Sequence, residues 1–239
     1  MSYYSYGYAP YVSVAKQQSM AQKAIKNAKK KGIIYEPVIP PGCRKLCSSW
    51  WGQAWCDNLE QYSDYENRLP RGRRYLNNGL VIDLQISKGT IRAKVQGKTK
   101  TPYDILVHID PLKPDAIENI QKRCEFGISS LDNLINGQFP EDLQDLFTEK
   151  GGLFPTPREI HFDCDCPDGA CLCKHIAAVM YGVGVRLDEK PLLFFELRGI
   201  DPQSLVEKAI ENRLELMLKN ADKTTSRMLD GDISSLFGI

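Results

Sequence analysis

Histidine is scarce in this chain, with three in 239 residues, and no apolar run is long enough to cross a bilayer. A membrane-spanning helix needs about 18–20 apolar residues in succession. The longest candidate, Ile176 to Val185, is broken by Tyr181, Gly182 and Gly184. The first residues are rich in tyrosine and then in lysine, and lack the apolar centre of a secretory signal. There is no phosphate-cradling G-x-x-x-x-G-K. With only His108, His161 and His175 available, no Ser/His/Asp set can be argued. No catalytic residue and no small-molecule substrate are therefore expected. Eight cysteines fall far below the roughly 8–10% of a disulfide scaffold, which points to reduced thiols and a cytoplasmic setting. Hydrophobic content of 42% and charged content of 26% are ordinary for a soluble globular chain. The net charge of +1 makes the whole protein no magnet for polyanions, so the distribution of charge matters more than its sum.

What the sequence does have is a concentration of metal-type ligands between His161 and His175. Cys164, Cys166, Cys173 and His175 form C-x-C, a gap, then C-x-H. Thiolates and an imidazole are what a structural zinc takes in a closed tetrahedral shell. In an extended segment side chains two apart share a face, so Cys164 and Cys166 can hold one ion together. Pro167, Asp168 and Gly169 then turn the chain. Ile176, Val179, Met180 and Val183 repeat at helical spacing, which puts His175 on the first turn of a helix. Three thiolates and a neutral imidazole around a divalent ion leave about one negative charge, which Lys174 offsets. Cys171 and His161 lie close enough in sequence to compete as ligands. A catalytic zinc keeps an open position; four strong ligands close this one.

This pattern resembles the SWIM zinc finger, named for Swi/Snf ATPases, Mu-type transposases and a kinase group. The resemblance continues through W-W-G-Q-A-W at 50–55, R-L-P-R-G-R-R-Y at 68–75, L-F-P at 153–155, P-L-L-F-F-E-L-R-G at 191–199 and the ending D-I-S-S-L-F-G-I. It implies a bacterial stand-alone SWIM protein, a zinc-dependent module for nucleic-acid or protein interaction that is often encoded beside a Swi/Snf-type helicase. Cys171 departs from the family pattern.

Along the chain, residues 1–42 read as a flexible arm. It has tyrosines at 3, 4, 6, 8 and 11, then Lys16, Lys23, Lys26, Lys29, Lys30 and Lys31 without an acidic residue, with a weak stripe of Ala21, Ala24, Ile25 and Ala28 that Gly32 would stop. Residues 43–113 read as a β-meander domain. Trp50, Trp51 and Trp55 open a helix as core anchors. Leu80, Ile82, Leu84 and Ile86, then Ile91, Ala93 and Val95, then Tyr103, Ile105, Val107 and Ile109 alternate as three strands. Cys43, Cys47 and Cys56 have no histidine near them and are assigned no metal. Residues 114–152 form a helical connector, with starts at Asp115, Ser129 or Ser130, and Pro140. Residues 153–219 carry the zinc-stabilised ββα finger and a helix from about 202 to 219 that packs against it. Residues 220–239 form a flexible tail with a docking-like end. The fold class expected is α+β: a small antiparallel β-meander with helices, a helical segment, then the finger.

Nine basic residues against one acid, Asp83, fall between 68 and 100. Arg68, Arg71, Arg73 and Arg74 form a loop beside Tyr75 as a stacking face, and Arg92, Lys94, Lys98 and Lys100 line the second strand and the turn after it. Such segregation is the footprint of a phosphate-binding surface, and guanidinium forks suit phosphate. The expected function is a zinc-binding nucleic-acid adaptor, with DNA favoured over RNA, working with a Swi/Snf-type helicase. The alternative is a protein-interaction scaffold in which the finger binds a partner and the basic surface is incidental.

Overall fold

A computed structural model describes residues 11–42, 45–60, 67–126, 144–149, 151–201 and separate positions between 203 and 219. The tyrosines before Tyr11, the helix expected near 129 and the tail from 220 lie outside these residues. The elements are α1 (Val14–Lys30), α2 (Trp50–Glu60), α3 (Arg68–Asn77), β1 (Val81–Ser87), β2 (Thr90–Val95), β3 (Tyr103–Ile109), α4 (Pro114–Phe126), α5 (Gln144–Thr148), β4 (Ile160–Cys164), α6 (Lys174–Glu189) and α7 (Leu193–Leu197). The architecture is α+β, as the patterning predicts. No helix among the described residues is long and apolar enough to cross a membrane.

Three alternating segments predict a three-stranded meander, but the sheet has four antiparallel strands in the order β1-β2-β3-β4. The fourth comes from the cysteine-rich segment: Cys164 pairs with Ile105, Phe162 with Val107, and Ile160 with Ile109. That segment therefore supplies one strand and one helix, with no β-hairpin of its own, and its strand completes the sheet begun near residue 81. Strict alternation in β1 also fails at one point. A register shift between Val81 and Asp83 acts as a bulge: Val81 and Leu84 join the main core, while Ile82 packs with Leu80 against Ala21 of α1.

The core is built around α6, whose residues from His175 to Val185 are all buried. A helix apolar on every side has to be covered on every side. The inner face of the sheet lies against it, and α2 and α3 cover the rest. Two of the three tryptophan anchors bond to its backbone: Trp55 Nε1 donates to the Met180 carbonyl at 2.9 Å and Trp51 Nε1 to the Leu187 carbonyl at 3.0 Å. The far end of α6 holds the start of α2, since the Asp188 carboxylate accepts from the backbone N–H groups of Ser48 and Ser49. The Ser49 N–H is one of the donors that a helix start leaves without an intrahelical partner.

Two segments expected to be loose or looped are helical and docked. From residue 12 the N-terminal segment is no flexible arm. Ser13 caps α1 through the Lys16 N–H, Gln17, Ala21 and Ala28 are buried, and the helix ends in a Schellman turn, Ile33 N–H to the Ala28 carbonyl and Gly32 N–H to that of Lys29. Gly32 takes φ +77° there. The chain then runs beside β1, with Val38 N–H donating to the Val81 carbonyl. The arginine segment 68–77 is helix α3, with Pro70 in its first turn, where a missing N–H costs nothing. By contrast, the helical positions near 203–219 leave Ile210, Leu214 and Met217 exposed, so at these residues the expected packing against the finger helix does not occur.

Candidate metal centre

Strand parity and a helix start bring the four predicted ligands together. Cys164 is the last residue of β4 and shares its inner face with Ile160 and Phe162. Pairing continues one residue further, with Asp165 N–H donating to the Asp104 carbonyl at 3.3 Å and Asp104 N–H to the Asp165 carboxylate at 3.0 Å. That pins the backbone between Cys164 and Cys166. Cys173 is the N-cap of α6, its Sγ accepting from the Ile176 N–H at 3.5 Å. His175, 2% exposed, follows on the first turn. One donor atom from each of Cys164, Cys166, Cys173 and His175 lies within 4.8 Å of all the others.

The donor chemistry fits a metal ion. His175 Nδ1 lies 3.9 Å from Cys173 Sγ, close to the edge of about 3.5 Å that a tetrahedron has with Zn–S near 2.3 Å and Zn–N near 2.0 Å. His175 Nε2, the other ring nitrogen, is buried with no hydrogen-bond partner, and an ion held through Nδ1 would leave it so. The thiols split their proton affinities. A hydrogen bond from Cys164 lowers the pKa of Cys173 to about 3, helped by His175 and the Ile176 N–H and opposed by burial. The same bond raises Cys164, and burial raises Cys166. Three thiols and an imidazole gathered this closely are the donor set a soft cation takes. The four residues are placed to hold one metal ion.

The competing ligands are elsewhere. Cys171 is exposed and outside the cluster. His161 points to the outer face of the sheet, with Nε2 3.1 Å from Asp110 Oδ1.

Around the cluster is a set of contacts that no local sequence signal announces. Tyr103 and Tyr75 flank the His175 ring, at centroid distances of 4.6 and 5.3 Å. A Cβ on Gly97 would fall 2.2 Å from the Tyr103 ring, so only glycine lets the β2–β3 turn close here. Asp168, in the turn between the ligand pairs, takes a salt bridge of 2.8 Å from Arg68 of α3 and lies 3.9 Å from Lys174. Gly72 of α3 rests on α6: an added Cβ would sit 2.5 Å from the Ala177 Cβ and 2.8 Å from the Ala178 nitrogen. The basic helix is thus held at two points, the turn between the ligand pairs and the face of α6.

The predicted phosphate contacts separate into groups. Arg71 and Arg74 are exposed on α3, Lys98 and Lys100 on the β2–β3 turn, and Arg73 is half-buried. Arg68 is committed to Asp168. Tyr75 is half-buried between His175 and the cluster under α1, with burial raising its pKa, so it is no open stacking platform. Arg92 and Lys94 are on the outer sheet face, but the fold adds Asp83, Asp104, Asp163 and Asp165 to the same groove, and Lys94 pairs with Asp104. Four carboxylates against two cations make that face unsuited to phosphate. The exposed cations of α1, Lys16, Lys23, Lys26, Lys29 and Lys30, lie instead on a helix that meets α3 where Gln18 Nε2 donates to the Asn78 carbonyl at 3.1 Å.

The chain is 34% identical over 179 residues to a protein of Mycobacterium tuberculosis named "Uncharacterized protein Rv2102", a match that takes in 74% of this chain and 64% of that protein. The chain thus spans less than two thirds of the length of the curated relative it matches. No protein-family model matches it, and no solved structure does.

Proposed function

We propose that the protein is a zinc-binding, nucleic-acid-binding adaptor of the SWIM-finger type that works with a Swi/Snf-type helicase in DNA transactions. Three thiolates and one imidazole favour zinc, and a closed shell of four makes it structural. The observation that carries the reading is the mounting of α3. This helix has no acidic residue, it is bonded to the metal-ligand turn through Arg68 and Asp168, and it meets α1, which also has none. A metal that fixes the turn fixes a basic surface with it. The cations of that surface are Arg71 and Arg74, the lysines of α1, and Lys98 and Lys100. The likeness of the ligand pattern to SWIM proteins supports the helicase partnership, and no catalytic role is assigned to the chain.

The test is a salt series on labelled duplex DNA, single strand and RNA. Phosphate contacts make log affinity fall linearly with log salt. Changing Arg71 and Arg74 to Ala should weaken binding and reduce the slope by about one for each phosphate no longer held, whereas Arg92→Ala with Lys94→Ala should change neither. Undiminished binding in the α3 variant, or affinity indifferent to salt, sinks this reading.

A second reading has its own support. Ile210, Leu214, Met217 and Leu218 are 44–67% exposed at helical positions, and their spacing places them on one face. That is how a helix presents itself to a protein groove. A helicase partner captured in high salt through these residues, with no DNA affinity in the isolated protein, would favour the scaffold.

A further inference from the structure

We propose that His108, Asp110 and His161 form a second metal site, exposed and separate from the cysteine centre, that takes a divalent transition ion of the kind that prefers imidazole and carboxylate. The chain has three histidines. One is in the cysteine centre, and the other two stand directly opposite each other on β3 and β4. Their rings are 6.1 Å apart at 24°, and both turn a nitrogen to the same acceptor: His161 Nε2 is 3.1 Å and His108 Nε2 3.8 Å from Asp110 Oδ1. Neither ring serves the core, since both side chains are more than half exposed.

Two imidazoles and one carboxylate on one side of an ion form the facial set that leaves positions open for water or a further ligand. Donors about 2.0–2.2 Å from a shared ion stand roughly 3.0–3.5 Å from one another. His161 Nε2 is already within that range of Asp110 Oδ1 and His108 Nε2 lies just beyond it, but the two rings are not within ligand reach of each other, so closing the site needs both exposed imidazoles to swing together. The backbone beneath is fixed. The strands pair through His108 and His161, Asp110 N–H donates to the Glu159 carbonyl at 2.9 Å, and the buried Arg198 donates to the Asp110 carbonyl at 2.8 Å. The electrostatics point the same way. Asp104, Asp163 and Asp165 continue along the same outer face, so the field that repels phosphate draws a cation in. The absence of thiolate separates the two sites chemically: the cysteine centre selects a soft, tetrahedral ion, and this one an ion content with nitrogen and oxygen.

The experiment uses the full chain with its cysteine centre loaded with zinc, and Ni²⁺ as the probe. Paramagnetic broadening of the histidine ring signals is followed by NMR, and affinity by calorimetry. With three histidines the ring spectrum is assigned by single substitutions. The expected result is that Ni²⁺ broadens the His108 and His161 rings while His175 stays sharp, with one equivalent bound. His108→Ala and His161→Ala should each lower affinity at least tenfold, Asp110→Asn at least threefold, and zinc content should not change. Excess Mg²⁺, which prefers oxygen ligands alone, should not compete. Broadening confined to His175, no broadening, Ni²⁺ affinity unchanged in the double histidine variant, or effective competition by Mg²⁺ would each overturn the proposal.

Discussion

Replacing Gly72 by alanine tests the seating of the basic helix on α6. Gly72 is inside α3 and is not among the glycines with positive φ, so its role is closeness and not backbone conformation. An ordinary carbon contact is about 3.5–4.0 Å, whereas the new Cβ would meet the Ala177 Cβ at 2.5 Å, the Ala178 nitrogen at 2.8 Å and the Ala177 carbonyl carbon at 2.9 Å. Two of these three atoms are backbone of the most buried helix in the protein, so α3 has to move away by about 1 Å. Overpacking of this kind costs about 1–3 kcal/mol. Alanine recovers about 1 kcal/mol of helix propensity over glycine. Because the obstruction is backbone, the cost belongs in the upper part of its range, leaving a net loss of about 1–2 kcal/mol. At this chain length that lowers Tm by about 2–8 °C. Thermal melting of the zinc-loaded protein measures it, with Gly169→Ala as control, since a Cβ there meets nothing within 4 Å. On the proposed function, the displaced helix should also weaken DNA binding without releasing zinc. A Gly72→Ala protein that melts at or above the parent refutes the close approach.

Other outcomes follow from the same geometry. Elemental analysis should find one zinc per chain. Cys173→Ser should lose it and at least about 3 kcal/mol of stability, or roughly 6–12 °C, while Cys171→Ser keeps both. Full zinc content in Cys173→Ser would exclude the four-ligand centre. Glu159→Gln should destabilise by about 1–3 kcal/mol, more than Arg198→Met, because it leaves the nearly inaccessible Arg198 guanidinium without its 2.7 Å partner; paired chemical denaturation curves decide. Burial opposes ionisation of Glu159, but Arg198 and Thr156 outweigh it and lower its pKa. Its contribution is therefore complete above the ordinary glutamate pKa of about 4.3 and is lost as pH falls through the lower folded value. The stability gap between parent and Glu159→Gln should accordingly narrow on acidification and stay constant from pH 6 to 8.

The clustering of the four candidate ligands was the most legible part of the chain because they are local. Strand parity sets Cys164 beside Cys166, one turn follows, and a helix start sets Cys173 beside His175. None of this needs a distant partner. Where long-range pairing decided the outcome, sequence patterning fell short. Nothing in I-H-F-D-C says that it will pair with a strand some fifty residues earlier, so the fourth strand and the single sheet were not legible. Pro70 and Gly72 read as turn residues, yet Pro70 occupies the one part of a helix that tolerates it, and Gly72 is there for α6. The alanine stripe of α1 was visible, but the Leu80 and Ile82 surface that receives it was not. Arg92 and Lys94 look like half of a phosphate platform until folding sets Asp104, Asp163 and Asp165 beside them, all three from beyond the window in which the charges were counted.

That last displacement alters what a net charge of +1 means for this protein. Thirty-one cations and thirty acids could mix evenly and leave a surface with little field. Instead nine of the cations gather on two helices that touch, α1 and α3, with no acid on either, while carboxylates outnumber cations on the outer strand face. A polyanion is attracted to the first surface and repelled by the second, so it can settle in few orientations, and attraction falls off within a Debye length of about 8 Å at physiological salt. Orientation then depends on how firmly α3 is held. Arg68 to Asp168 and Gly72 against Ala177 make that the task of the turn between the ligand pairs, which is the segment a bound metal would rigidify. On the proposed function, the Arg68–Asp168 contact ties the ligand turn to the basic helix, so zinc occupancy and the salt slope of DNA binding should change together.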